Sequence, residues 1–198
     1  LYLSNKNLKS IVITGTNGKS TTCKLIAHLL KKNKIKYSLG GNIGTPILDI
    51  KNSNNELIII EASSFQLSHS KFIRPNFALF LNLSNDHLDW HGNKKNYLNS
   101  KLKIFQHQNK NNYAIVNKKF KKTFNRKGFL SKLILPAEKE YKKIKNEIKN
   151  DYLESNINDE NMSFVYAFAK LIKIGKKSFI NAMGSFKGLP HRFEIFMK

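Results

Sequence analysis

The chain is poor in the residues that crosslink, anchor or grip. It has one cysteine, three arginines and no run of eighteen apolar residues. A single thiol cannot close an internal disulfide, so Cys23, placed where a helix should begin, is expected to be a buried structural thiol in a reducing compartment. The missing apolar run, and an N-terminus without the basic-then-apolar layout of a signal peptide, give no indication of membrane insertion or export. A soluble, cytoplasmic protein is expected.

The scarcity of arginine bears on the most visible compositional feature, a formal net charge of +22. Clustered cations bind phosphate backbones through counterion release. Here only Arg74, Arg126 and Arg192 among 35 basic residues carry the planar fork that base and phosphate recognition exploits. The lysines are dispersed and mixed with asparagine, as in Lys31-Lys32-Asn33-Lys34. A nucleic-acid partner is therefore not expected, although the basic field would attract anionic ligands such as nucleotides.

What is present suits one α/β domain with a real core, at 198 residues and 40% apolar content. Lys9 to Thr14 is a short apolar, β-branched run that stops at Gly15, which predicts a buried strand entering a tight turn. From Ser20 to about Lys32, Leu25, Ile26, Leu29 and Leu30 recur at helical spacing. A strand near Lys36 to Leu39 and a second flexible loop, Gly40 to Gly44, follow. Leu57 to Ile60, ending in Glu61, and Phe77 to Leu83 read as central parallel strands covered on both faces.

Further on, Lys94 to Gln106 is helical by pattern and Tyr113 to Val116 is a short strand. Lys118 to Asn150 is lysine-rich and uninformative, with weak strand signals around Leu133 and Ile144. Met162 to Ile174 and Lys177 to Phe186 read as helices, and Gly188-Leu189-Pro190 ends the second. Polar groups gather repeatedly at strand ends. In an open parallel sheet ligands bind outside the carboxyl ends of the strands, so these segments should converge on one crevice.

Three of those ends carry chemistry. Gly15-Thr16-Asn17-Gly18-Lys19-Ser20-Thr21, between strand and helix, offers backbone N–H groups and a helix N-terminus to a triphosphate. Lys19 would neutralise phosphate charge and Ser20 would place its hydroxyl on magnesium. Ile13 occupies the position where the general phosphate loop has its first glycine. Glu61 stands where an acidic residue completes the metal site in phosphate-loop proteins. His87, between Asp86 and Asp89, suits a metal ligand, a carboxylate orienter or a capped turn. Lys101, on a predicted helix with Lys94, Lys95 and Lys103, reads as surface charge.

In this order the segments resemble the central domain of the bacterial muramyl ligases nearly end to end, and most closely the D-glutamate-adding branch. The discriminating pieces are Gly41-Asn42-Ile43-Gly44, Glu61-Ala62-Ser63-Ser64-Phe65-Gln66-Leu67, Asp86-His87-Leu88-Asp89 and Gly188-Leu189-Pro190-His191-Arg192-Phe193-Glu194. Thr14 to Thr21 resembles the family's short phosphate loop, which accounts for Ile13. The resemblance implies ATP and two magnesium sites: Lys19 on the phosphates, Ser20 and Glu61 at the first metal, His87 with a carbamylated Lys101 at the second. It overrules the surface reading of Lys101. It further implies Asn42, Ser63, Gln66 and His87 near the muramoyl substrate, and Asn158, Asn161 and Arg192 on the nucleotide side.

The expected architecture is a three-layer, phosphate-loop NTPase-like α/β domain with a mostly parallel sheet flanked by helices. It should span residues 1–190, with 191–198 starting a hinge to a further domain. The chain opens at Leu1 with the phosphate loop almost at once, so an excised segment is expected, without the N-terminal domain that holds uridine diphosphate or the C-terminal one. The substrates implied are UDP-N-acetylmuramoyl-L-alanine and D-glutamate, joined through an acyl phosphate, in a monomer. The rivals are another muramyl ligase, a folylpolyglutamate synthase-like ligase, a non-catalytic nucleotide-binding remnant and a basic nucleic-acid-binding module.

Overall fold

Along each central strand successive apolar side chains point to opposite faces of the sheet, and this period of two decides the layering. The computed structural model describes residues 9–50 and 57–189. The elements are β1 (Lys9–Thr14), α1 (Lys19–Lys32), β2 (Tyr37–Gly41), β3 (Leu57–Glu61), α2 (Ser64–His69), β4 (Phe77–Phe80), α3 (Leu88–His91), α4 (Lys94–Gln106), β5 (Tyr113–Val116), α5 (Lys121–Arg126), β6 (Lys132–Ile134), α6 (Glu138–Lys145), α7 (Asp151–Glu154), α8 (Asp159–Leu171) and α9 (Lys176–Gly184). The six strands form one sheet in the order β2-β3-β1-β4-β5-β6, and every pairing is parallel.

Ile11, Ile13, Ile59, Leu79 and Ile115 face α1, α6, α8 and α9, packing on Leu25, Leu29, Tyr141, Phe164, Phe168 and Phe179. Val12, Ile58, Ile60, Ala78, Phe80, Ala114 and Val116 face the other way, onto Leu67, Leu102, Phe105 and Phe124 of α2, α4 and α5. Each fully buried Val, Leu, Ile or Phe among them stabilises the fold by about 1.5–3 kcal/mol over an exposed one. Three layers result, and the continuous apolar runs of β1, β3 and β4 are explained by cover on both faces. Cys23 is buried in the α1 side of the core, as a structural thiol should be. Among the described residues no helix is long and apolar enough to cross a membrane.

Several elements differ from their expected extent, each for a local reason. Gly40 and Gly41 are strand residues rather than a flexible loop: they pair with Ile60 and Glu61. Gly41 has φ +107°, and a Cβ on it would lie 2.3 Å from the Glu61 carbonyl oxygen, so glycine is there for close approach. β4 stops at Phe80, not Leu83, because Asn82 turns toward the loop after β1. Ile144 belongs to a helix, not a strand: it lies three residues after Tyr141 on the buried face of α6. α8 ends at Leu171 rather than Ile174, since Lys173 adopts a left-handed φ of 62° and the Ile174 N–H returns to Ala169.

β1 sits centrally, with β3 on one side and β4 on the other. The chain leaves β1 for the β2 edge, returns to β3, and then crosses to β4. That reversal of direction places the crevice at the carboxyl ends of β1, β3 and β4.

Candidate functional site

At the end of β1, Gly15 to Gly18 form the loop and Lys19 begins α1. Gly18 is the N-cap with φ +79°, and a Cβ there would lie 2.2 Å from Asn161 Oδ1, so the loop presses directly on α8. Among the described residues no side chain caps α1. Its first turn thus carries the N–H groups without intrahelical acceptors that an anion can take. Thr16 N–H and Asn17 N–H are not among the donors left for phosphate: both bond to Asn82 Oδ1, at 3.1 and 2.9 Å.

Lys19 Nζ folds back onto the loop, donating to the carbonyls of Thr16 at 2.7 Å and Gly15 at 3.1 Å. Lys101 Nζ donates to the same Gly15 carbonyl from below, at 2.8 Å, and lies 4.6 Å from the Tyr97 ring centre. Lys101 is only 1% exposed. Burial, then the nearby Lys19 charge, pulls its ammonium down to about 7, against a partial upward pull from Asp86. The surface reading of this lysine from its neighbours in sequence was wrong: it shares the buried face of α4 with Tyr97 and Phe105, four residues to either side, whereas Lys94 and Lys95 are exposed in the first turn.

Glu61 ends β3 beside the loop. Asn42, just past β2, gives it two bonds: backbone N–H to the Glu61 carbonyl at 2.9 Å and Nδ2 to Oε1 at 3.2 Å. Glu61 is 1% exposed, and its Oε2 is buried with no hydrogen-bond partner among the described residues. A carboxylate oxygen held dry and unpaired is costly unless a cation meets it. A cleft of about 440 Å³ opens here, lined by Thr16 to Thr21 of the loop, Asn42, Glu61 and, from the α8 side, Asn158 and Asn161.

The remaining predicted residues divide. Asn158 donates to the Tyr152 carbonyl at 2.9 Å, and Asn161 Oδ1 lies 3.4 Å from Thr22 Oγ1 as well as against Gly18. Ser63 and Gln66 bond to each other as a capping box at the start of α2, with Gln66 N–H on Ser63 Oγ and Ser63 N–H on Gln66 Oε1. His87 caps α3 in a left-handed conformation with φ 51°. Its Nε2 lies 3.4 Å from Asp86 Oδ2, and its ring packs on Phe65 and Tyr97. His87 and Lys101 thus flank Tyr97 rather than line the cleft. No cluster of three His, Cys, Asp or Glu side chains suited to a metal occurs among the described residues. Arg192 and the hinge at 191–198 lie outside the described residues.

Sequence reasoning passed over the residues that brace the loop. Thr16 Oγ1 accepts the Ser84 N–H at 3.0 Å and meets Tyr97 OH at 3.1 Å. Asn82 Nδ2 reaches Glu160 Oε2 at 3.0 Å, and Asn117 Nδ2 reaches Glu160 Oε1 at 2.6 Å. Counting Asn82 into a strand hid it. An asparagine just past an apolar strand, facing a glycine loop, was the available signal.

With this geometry in view, comparison with known proteins gives a consistent answer. The family model described as Mur ligase middle domain matches residues 13–187. UDP-N-acetylmuramoylalanine–D-glutamate ligase of Rickettsia felis is 36% identical, over 98% of this chain and 47% of its own length. That of Rickettsia prowazekii is 37% identical, over 98% and 48%. The chain therefore spans about half the length of these curated relatives. Among solved structures, MurF from Acinetobacter baumannii superposes with TM-score 0.73 at 16% identity, covering 99% of this chain and 50% of its own. MurF ligase from Thermotoga maritima in complex with ADP gives 0.69 at 19%, covering 96% and 51%. At such identities these two attest the fold.

Proposed function

We propose that this chain, which belongs to the Mur ligase middle-domain family, is the ATP- and magnesium-binding part of a cytoplasmic ligase. That ligase joins D-glutamate to UDP-N-acetylmuramoyl-L-alanine for peptidoglycan precursor synthesis. The reading of the amino acid rests on relatives named as D-glutamate ligases. The observation that carries the site is Glu61 Oε2, buried and unpaired beside a phosphate loop whose lysine is folded back onto loop carbonyls.

The reaction has two steps. An oxygen of the L-alanyl carboxylate bonds to the γ-phosphorus of ATP as the bond to the β–γ bridging oxygen breaks, releasing ADP. The D-glutamate amine then attacks the acyl carbon, phosphate leaves with the electron pair of the C–O bond, and the nitrogen gives up its proton. Lys19 exchanges two carbonyl partners for phosphate oxygens, and the open N–H groups of the first turn of α1 hold the same anion. Two magnesium ions are expected, Ser20 and Glu61 serving the first, and His87 with a carbamylated Lys101 the second. When bound, they would offset the repulsion between carboxylate and triphosphate.

Lys101 fits the modification chemically: its amine is buried, close to neutral and next to a like charge, and a neutral amine is the form that adds carbon dioxide. Asn42, Ser63, Gln66 and His87 are assigned to the muramoyl side, and Asn158 and Asn161 to the nucleotide side. The test is calorimetric titration of this chain with ATP, with and without magnesium. Weak, magnesium-dependent binding without ligase turnover is expected. Absence of magnesium-dependent binding would sink the assignment, and complete ligase activity on these residues alone would sink its fragment character.

A further inference from the structure

We infer that Glu160 is a positioning residue that sets the shape of the phosphate loop through Asn82; the inference rests on the nucleotide reading above. Both amides that touch Glu160 have their orientations fixed from the far end. Asn82 Oδ1 accepts two backbone N–H groups, from Thr16 at 3.1 Å and Asn17 at 2.9 Å. Asn117 Oδ1 accepts the Lys119 N–H at 3.0 Å. A backbone N–H only donates, so each oxygen is pinned and each Nδ2 must point the other way. The two Nδ2 groups converge on one side chain, and that side chain has to accept on both of its atoms. Only a carboxylate does so. A glutamine of the same shape would turn an NH2 toward one of the two donors.

Glu160 is itself tied down at its start in α8, where its carbonyl accepts Ser163 Oγ at 2.7 Å. Asn82 also donates to the Asn17 carbonyl at 3.2 Å, so its amide grips Asn17 from both sides. The line Glu160, Asn82, Asn17 thus connects α8 to the loop across the ends of β1 and β4. Thr16 and Asn17 line the cleft, but their N–H groups are turned onto Asn82.

The sign of the effect separates positioning from plain electrostatics. Glu160 lines the cleft, so its negative charge opposes a triphosphate. If charge were its only role, Glu160→Gln would strengthen nucleotide binding. Positioning predicts the reverse: about tenfold weaker binding of magnesium-ATP by the 198-residue chain. The second readout needs no nucleotide. Amide hydrogen exchange should quicken in Glu160→Gln at Asn17 and, to a smaller degree, at Thr16, whose N–H also donates to the Asn82 carbonyl at 3.1 Å, while exchange in the β1 and β3 core stays unchanged. Tighter nucleotide binding, or unaltered exchange at both amides, overturns the inference. Exchange that quickens in a chain whose wild type does not bind ATP would retain the brace and discard the nucleotide reading. Glu160→Ala, which removes the carboxylate without presenting a misplaced donor, should loosen the same two amides, and unchanged exchange there also overturns the inference.

Discussion

Lys19 and Lys101 donate to one oxygen, the carbonyl of Gly15, at 3.1 and 2.8 Å. Lys101 is the buried one of the pair, and burial first, then the Lys19 charge, draws it down to about 7. Below that value Lys101 is an inert ammonium, and above it a free amine. Uptake of 13C-bicarbonate as a carbamate should therefore rise as the pH climbs through about 7 and be absent in Lys101→Arg. Lys19→Met, by removing the like charge, should move the rise to higher pH. A carbamate signal independent of pH from 6 to 9 would contradict this account.

Glu61 should behave as a cation ligand rather than as a structural acid. Its Oε1 is satisfied by Asn42, and Oε2 has no hydrogen-bond partner among the described residues. Glu61→Gln keeps the first bond through its remaining oxygen and puts an uncharged NH2 donor in place of the second oxygen. We expect the enhancement of ATP binding by magnesium to fall by at least about tenfold, with magnesium-free binding changed little. Calorimetry in the two conditions reads both. Equal losses in each would point to a disrupted loop instead.

Gly18 combines two constraints, a left-handed φ of +79° and a Cβ position 2.2 Å from Asn161 Oδ1. Gly92 has the first constraint alone, with φ +75° and no atom of the described residues within 4 Å of a Cβ placed there. Thermal unfolding should show Gly18→Ala destabilised by about 1–3 kcal/mol. Gly92→Ala should cost less, and the difference measures the pressure of the loop on α8. Equal losses would show that this contact relaxes freely.

His28 joins α1 to the end of α9, with Nε2 at 2.9 Å from the Ala182 carbonyl and 3.0 Å from Ser185 Oγ. Partial burial, reinforced by Lys32 and Lys31, lowers its affinity for a proton below the ordinary 6.5, against the upward pull of the carbonyl. The unfolded chain then binds the proton more readily than the folded one. Stability should accordingly drop as the pH falls below 6.5, and Thr or Gln at this position should flatten that part of the curve. Melting temperatures between pH 5 and 7.5 for wild type and His28→Gln test it.

Fold and site were legible to different depths. β1, α4 and β5 have their expected bounds because their apolar spacing is dictated by burial on fixed faces. The loop and Glu61 were readable because glycine and a strand-end acid mark backbone geometry locally. Lys101 was not readable from its neighbours: what makes it unusual is the Gly15 carbonyl, 86 residues away. Here the family resemblance supplied what periodicity could not. Asn82 and Glu160 escaped both routes, since their roles exist only as a hydrogen-bond relay spanning 78 residues. The α6 region misled for another reason: Tyr141 and Ile144 are its only buried side chains among charged ones, too few to separate a helical period from a strand.

The glycine loop precedes in the chain the groups that brace it: Asn82, then Asn117, then Glu160 and Asn161. A ribosome making this polypeptide exposes Gly15 to Lys19 long before the groups that hold them. Until residue 161 has emerged, the growing chain has a glycine-rich turn but not its finished shape. The loop therefore takes its finished shape only together with docking of α8.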